Sequence, residues 1–98
     1  MRWVGSAMPD LVAERILEGW KGPRDAWEGL LEGDGADQIF EVYDALRILM
    51  PPLGMANRWM GKPNYNALFG GQPPMKKLLE PGGLVAIRHL VRGQLNVW

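Results

Sequence analysis

Residues 56–71 read A-N-R-W-M-G-K-P-N-Y-N-A-L-F-G-G, and this stretch decides how the chain folds. Its apolar start ends at Trp59-Met60, after which proline, asparagine and glycine dominate. Proline and glycine interrupt helices, and the Asn64 side chain can bond its own backbone two residues on and tighten a turn. We therefore predict a short helix over 53–60, a structured loop over 61–72 and a helical turn over 73–79.

The strongest helix signal lies just upstream, over residues 36–50. Its apolar residues recur at the helical period in one stripe, which consists of Ile39 or Phe40, Tyr43, Leu46, and Leu49 or Met50. Pro51-Pro52 end this helix, because proline lacks the amide donor and disfavours helix in the residue before it. The predicted core comprises Ile39, Tyr43, Leu46, Trp59, Leu78 and Ile87.

Two further helices are predicted before this one. Apolar residues at Leu11 or Val12, Ile16 and Trp20 indicate a first helix over 9–20. Gly22-Pro23 breaks it, and a second, shorter helix follows over 23–31. Residues 1–36 are therefore interpreted as a short N-terminal helical extension, and residues 37–98 as the main domain.

The last predicted helix covers residues 84–92. Leu84, Ile87 and Val91 share one face, and Gly93 is interpreted as the stop that leaves residues 94–98 as a tail. Strand signals are nearly absent. The sequence thus predicts an all-α fold, a small single-domain helical bundle of about five or six short helices.

Composition excludes several classes of protein. The 98 residues include no cysteine, which excludes disulfides, thiolate metal sites and cysteine nucleophiles. The formal net charge is zero, which argues against a strong, sequence-independent hold on nucleic acid. No apolar run approaches the roughly 20 residues of a membrane helix, and the N-terminus is unlike a secretory signal. We expect a cytoplasmic protein that does not contact a membrane.

The charges are unevenly distributed along the chain. Acidic residues thin out after Asp44 and leave only Glu80, whereas the basic residues beyond that point are Arg47, Arg58, Lys62, Lys76, Lys77, Arg88 and Arg92. One interpretation is a solvated basic face. The other is electrostatic steering toward an acidic partner.

Residues that could carry chemistry are few. His89 is the only histidine, it is predicted on the exposed side of the last helix, and no motif supplies a nucleophile or an orienting carboxylate. The carboxylates Glu14 and Glu18 are expected to form a solvated helix face, and Asp34 with Asp37 a capping arrangement. We therefore expect no enzyme, no cofactor and no bound metal.

The order of short motifs after residue 55 resembles the toxin-binding domain of the Xre/MbcA/ParS antitoxins of bacterial toxin–antitoxin pairs. The matching positions are Ala56, Trp59-Met60, Pro63-Asn64, Leu68, Gly70-Gly71, Pro74, Leu78-Leu79 and Gly82-Gly83. Each motif is short, but their order and spacing together are specific, and the resemblance covers roughly the last 60 residues. In this family the motif residues Trp59, Pro63, Asn64, Leu68, Gly71 and Pro74 would mainly shape the domain.

The resemblance implies a function. The partners in this family are toxins that consume NAD, of the RES-domain or ADP-ribosyltransferase-like class, and the antitoxin covers the toxin's active-site cleft. The implied toxin-binding residues are Arg88, His89, Arg92, Leu95, Asn96, Val97 and Trp98. For the tail from Leu95 to Trp98 two interpretations stay open, an anchor in the partner or a segment folded back on the core.

One departure from the family concerns DNA. Many members carry an N-terminal helix-turn-helix domain that binds promoter DNA and can dimerise, whereas only about 36 residues precede the third helix here. Direct DNA binding is therefore doubtful, while a homo-oligomer stays open. The alternatives to an antitoxin are a small DNA-binding transcriptional regulator and a non-enzymatic adaptor that shares the domain.

Overall fold

The computed structural model describes residues 8–52 and 54–95, and in these residues every regular element is helical. The elements are α1 (Met8–Gly19), a 3-10 turn (Arg24–Ala26) leading into α2 (Trp27–Leu30), α3 (Gly35–Leu49), α4 (Met55–Gly61), α5 (Pro74–Leu78) and α6 (Gly83–Leu95). The predicted fold class, a small all-α domain, is confirmed. No helix within the described ranges is long and apolar enough to cross a membrane.

The longest helices, α3 and α6, form the centre of the molecule. They pack against each other, and α1 covers α3 from another side. Ile39 and Leu46 of α3 and Ile87 and Val91 of α6 are all buried at this centre. Burying one such side chain contributes about 1.5–3 kcal/mol, so these contacts dominate the stability of the fold. Leu78 of α5 is buried as well, as predicted.

The buried face of α3 differs from the predicted stripe. Phe40 is 54% exposed and Tyr43 is only partly buried, whereas Ala36, Val42 and Ala45 are buried. The reason is that α3 packs on α1 as well as on α6, so a wider arc of the helix is covered. Close approach of two neighbours favours small side chains on that arc, which a search for large apolar residues does not select.

The first helix shows the same kind of difference. The predicted apolar positions of this helix included Leu11 or Val12, but both are exposed, and Ala13 and Leu17 are buried beside Ile16. Trp20 follows the helix and is 2% exposed. The face turned toward α3 is therefore rotated from the predicted one.

A Schellman motif ends α1 at an unusual residue. Gly22 N–H donates to Leu17 O (2.8 Å) and Lys21 N–H donates to Glu18 O (3.0 Å). Lys21 adopts the left-handed conformation that this motif requires, with φ 62°. For a residue with a side chain this costs about 1–2 kcal/mol relative to the right-handed form, so glycine would be the more stable choice there.

The end of α6 corrects another prediction. Gly93 was expected to stop the helix, but α6 continues through it to Leu95. Leu95 packs against the core one turn beyond buried Val91, and this contact holds the last turn in place. A glycine weakens a helix by about 1 kcal/mol, which flanking packing residues readily outweigh.

Gly83, at the beginning of α6, differs from Gly93 because the fold leaves no room for a side chain there. A Cβ atom on Gly83 would lie 1.7 Å from the carbonyl oxygen of Lys77, so only glycine lets α6 start this close to the backbone of α5. The predicted break at Gly82-Gly83 is confirmed by the turn that joins the two helices.

Candidate functional site

The family-like motif forms the junction between α4, the following loop and α5. Trp59, near the end of α4, is partly buried and meets Phe69 edge-on, with ring centroids 5.7 Å apart and planes at 82°. Phe69 is itself buried. Edge-to-face aromatic pairs are favourable beyond the area they bury, so this pair fixes the loop to the helix. Trp59 was predicted in the core, and its side chain is only partly buried there.

Backbone hydrogen bonds of Asn64 join the beginning of the same loop to its end. The Asn64 Oδ1 atom accepts the Asn66 N–H (2.9 Å), which is the predicted bond to the backbone two residues on. Its own N–H donates to Gln72 O (3.2 Å), and its carbonyl oxygen accepts the Gly71 N–H (2.8 Å). Gly71 has a φ of 90°, a conformation in which a side chain would be strained.

The remaining motif residues lie in this loop and at the start of α5. Pro63 is exposed at the start of the loop, Leu68 is partly buried against the core, and Pro74 is fully buried in the first turn of α5. Tyr65 is turned outward and is one of the most exposed large apolar side chains of the described residues. The contacts of these motif residues thus fix the positions of α4 and α5 relative to the core.

The outer face of α6 includes His89, which was predicted from the sequence to lie on the exposed side of this helix. Val85, His89 and Gly93 follow one another at intervals of four residues, so they form one line along the helix, and all three are exposed. We refer to these three residues as the α6 outer line. No described atom lies within 4 Å of the position that a Cβ on Gly93 would take, apart from the helix's own backbone.

The two arginines predicted to meet a partner are engaged within the chain. Arg92 Nη1 lies 2.5 Å from Oε1 of Glu41 on α3, and Arg88 Nε lies 3.1 Å from the same oxygen. The Arg92 contact is a directed hydrogen bond, whereas the Arg88 Nε–H has no hydrogen-bond partner among the described residues. The Arg92 side chain stays 54% exposed despite this contact.

The predicted tail divides at the end of α6. Leu95 is the last described residue of α6 and packs partly buried against the core. Asn96, Val97 and Trp98 lie outside the described residues, so their predicted role in binding stays a prediction. Glu41, which joins α3 to α6, was not singled out from the sequence, and no local pattern could have found a partner 51 positions away.

No group of three or more His, Asp or Glu residues in the part of the chain that the structure describes is placed to hold a metal ion. Asp34 sits at the N-cap of α3, but its side chain makes no capping bond, contrary to the predicted arrangement. It accepts a hydrogen bond from Gln38 Nε2 instead (3.1 Å), one turn along the helix.

Comparison of the chain with protein-family models, with curated proteins and with solved structures finds no match.

Proposed function

We propose that this protein is an antitoxin-type binding protein. It neutralises a toxin that consumes NAD, of the RES-domain or ADP-ribosyltransferase-like class, by covering the toxin's active-site cleft. It acts by binding, without turnover, cofactor or metal, and in the cytoplasm, where such a toxin finds its NAD. The proposal starts from the resemblance of the motif residues between Ala56 and Gly83 and extends it to the α6 outer line.

The observation that carries the proposal is the exposed glycine inside α6. Gly93 lowers the stability of its helix by about 1 kcal/mol relative to alanine. Neither a positive φ nor a steric clash with a described residue requires glycine at this position. A partner surface packed closely against the helix would require it, because any side chain would hold the two backbones apart.

The neighbours of Gly93 suit the same role. Val85 offers an exposed apolar contact, and His89 offers a polar ring that can donate or accept a hydrogen bond. Glu41 binds Arg88 and Arg92 and ties α6 to α3, so the outer line is presented on a rigid element. Preorganisation of this kind lowers the entropy that is lost on binding.

Arg92 supplies the charge of this surface. Its guanidinium has five N–H donors, and only one bond of Arg92, to Glu41, is formed with the described residues. A carboxylate of the toxin could bind the exposed edge without breaking the bond to Glu41. The residues beyond Leu95 complete the proposed contact, as the resemblance implies.

The test is neutralisation of any NAD-consuming enzyme of the proposed class that a gene adjacent to this one encodes. Cells that express the enzyme alone should stop growing, and co-expression of this protein should restore growth. Gly93→Gln should abolish the rescue, because the added side chain stands where the toxin would pack. Ala67→Gln, which adds the same side chain at an exposed loop position, is the control and should rescue fully.

Full rescue by Gly93→Gln would remove the α6 outer line from the interface. A lack of rescue by the unaltered protein, although both proteins are soluble and abundant, would overturn the proposed function itself.

A further inference from the structure

A groove of about 670 Å³ lies on a different part of the molecule, between the end of α1, α4 and the start of α5. Its apolar lining includes Trp20, Pro73, Met75 and Leu79. We call it the basic groove, because its polar lining is dominated by the four cationic residues Lys21, Arg58, Lys62 and Lys76. No carboxylate of the described residues lines it.

The four cations are not neutralised within the described structure. All four are exposed, and none of them forms an ion pair with a described residue. By contrast, Lys77 on the same helix as Lys76 pairs with Glu80 (3.4 Å) and does not line the groove. Like charges gathered around one concave surface raise the positive potential there and attract anionic groups.

Trp20 adds an unsatisfied hydrogen-bond donor to the groove lining. Its indole is almost entirely buried, yet Nε1 has no hydrogen-bond partner among the described residues. The other buried tryptophan, Trp27, donates its Nε1–H to Gly22 O (3.0 Å). Buried donors are nearly always paired in folded proteins, so the unpaired Trp20 indole is an exception in the wall of this groove.

Lys21 is held at the groove despite a cost in stability. It occupies the left-handed position of the Schellman motif that ends α1, where glycine would be favoured. The fold therefore retains a cation at this point of the groove where backbone conformation alone would select a residue without a side chain. Residues that break a local rule in this way tend to serve a function.

We propose that the basic groove binds an acidic segment of a partner protein. Carboxylates of the segment contact Lys21, Arg58, Lys62 and Lys76, and an apolar side chain of the same segment packs against Met75 and Leu79. The inference goes beyond the proposed function, since it requires neither a toxin nor the α6 outer line.

The apolar lining favours a peptide over a nucleic acid. A phosphate backbone gains little from Met75, Leu79 and Pro73, whereas an acidic peptide with a bulky apolar residue uses both the cations and the apolar surface. The zero net charge of the chain also leaves little basic surface for a duplex beyond the groove.

The experiment uses a short synthetic peptide of Glu and Asp with one central Phe, labelled for fluorescence anisotropy. The double variant Lys62→Glu/Lys76→Glu should weaken binding of this peptide at least about tenfold. The control Arg24→Glu/Arg47→Glu changes the net charge equally at exposed positions outside the groove, and should stay within about twofold of the unaltered protein. Thermal unfolding of each variant checks that the fold is retained.

A second measurement reports on the indole. In nitrogen-15 NMR spectra the Nε1–H signal of Trp20 should shift as the peptide is added, whereas that of Trp27, already bonded to Gly22, should not. Replacing the central Phe of the peptide by Ser should weaken binding, because the apolar lining would then lose its occupant.

Three outcomes would overturn the proposal. Equal weakening by both double variants would show attraction to overall charge only. Tighter binding of a duplex or single-stranded oligonucleotide than of the peptide at equal salt would assign the groove to nucleic acid. An unshifted Trp20 signal at saturating peptide would place the peptide elsewhere. None of these measurements uses the toxin, so failure here leaves the proposed function standing, and failure of the proposed function leaves this result standing.

Discussion

Trp59 is a single residue that holds the loop between α4 and α5 in place. It is partly buried and packs edge-on against Phe69. Trp59→Ala should lower the free energy of unfolding by about 2–3 kcal/mol, somewhat below the ~3–5 kcal/mol of a fully buried aromatic. Urea unfolding measures it, with Trp59→Phe as the control that keeps an aromatic contact. A loss under about 1 kcal/mol would show that the pair contributes little.

Glu41 is a single residue that joins α3 to α6, because its one carboxylate contacts two arginines of α6. Glu41→Gln should lower the free energy of unfolding by about 0.5–1.5 kcal/mol, more than a single exposed ion pair contributes. Glu80→Gln is the matched control, since its one partner is Lys77 at 3.4 Å, and its effect should stay under about 0.5 kcal/mol. Equal effects of the two variants in urea would contradict a special role for Glu41.

At this scale the sequence is informative only for local bonds. The bond from the Asn66 N–H to the Asn64 side chain spans two residues, so it follows from the chemistry of asparagine alone. The bond from Arg92 to Glu41 spans 51 positions and depends on how α3 and α6 pack. The same holds for the basic groove, whose cations come from three separate parts of the chain.

Among the helices, α6 contains two glycines with opposite requirements. Gly83→Ala should destabilise the protein by at least about 2 kcal/mol, because the new Cβ would meet the Lys77 carbonyl oxygen. Gly93→Ala should instead stabilise it by about 0.5–1 kcal/mol, because the space around Gly93 is open. Thermal unfolding of the two variants tests both signs. A destabilising Gly93→Ala would mean that the residue is required by the fold and would remove the main support for an interface there.

The helices themselves could be predicted from the sequence more fully than their buried faces. Prolines and the helical period place α3 and α5 close to their observed ends. The faces of α1 and α3 were misjudged because each is set by its neighbours, and small residues such as Ala13 and Ala45 then replace large ones. Gly93 misled the prediction of the end of α6, because contacts of Leu95 with the core outweigh helix propensity.

For the molecule as a whole, the fold class could be predicted because hydrophobic periodicity and the near absence of strand signals agree along the chain. The interface is harder to predict, because it depends on which exposed residues share a surface. Removing residues 96–98 should leave the helical fold intact, since the described contacts of α6 with the core are made by residues up to Leu95. It should weaken binding to the toxin at least about tenfold, which requires only ~1.4 kcal/mol. Circular dichroism and a binding titration measure the two effects. Undiminished binding by the shortened protein would exclude these residues from the interface.

The central claim is that the protein neutralises a NAD-consuming enzyme by covering its cleft, and an NAD turnover assay tests it most directly. A purified NAD-consuming enzyme that a gene adjacent to this one encodes is titrated with the unaltered protein while the remaining NAD is measured. Turnover should fall in proportion to added protein and vanish near equal stoichiometry, and Gly93→Gln should shift the titration to at least about tenfold higher concentration. Undiminished NAD consumption in the presence of excess unaltered protein would contradict the account.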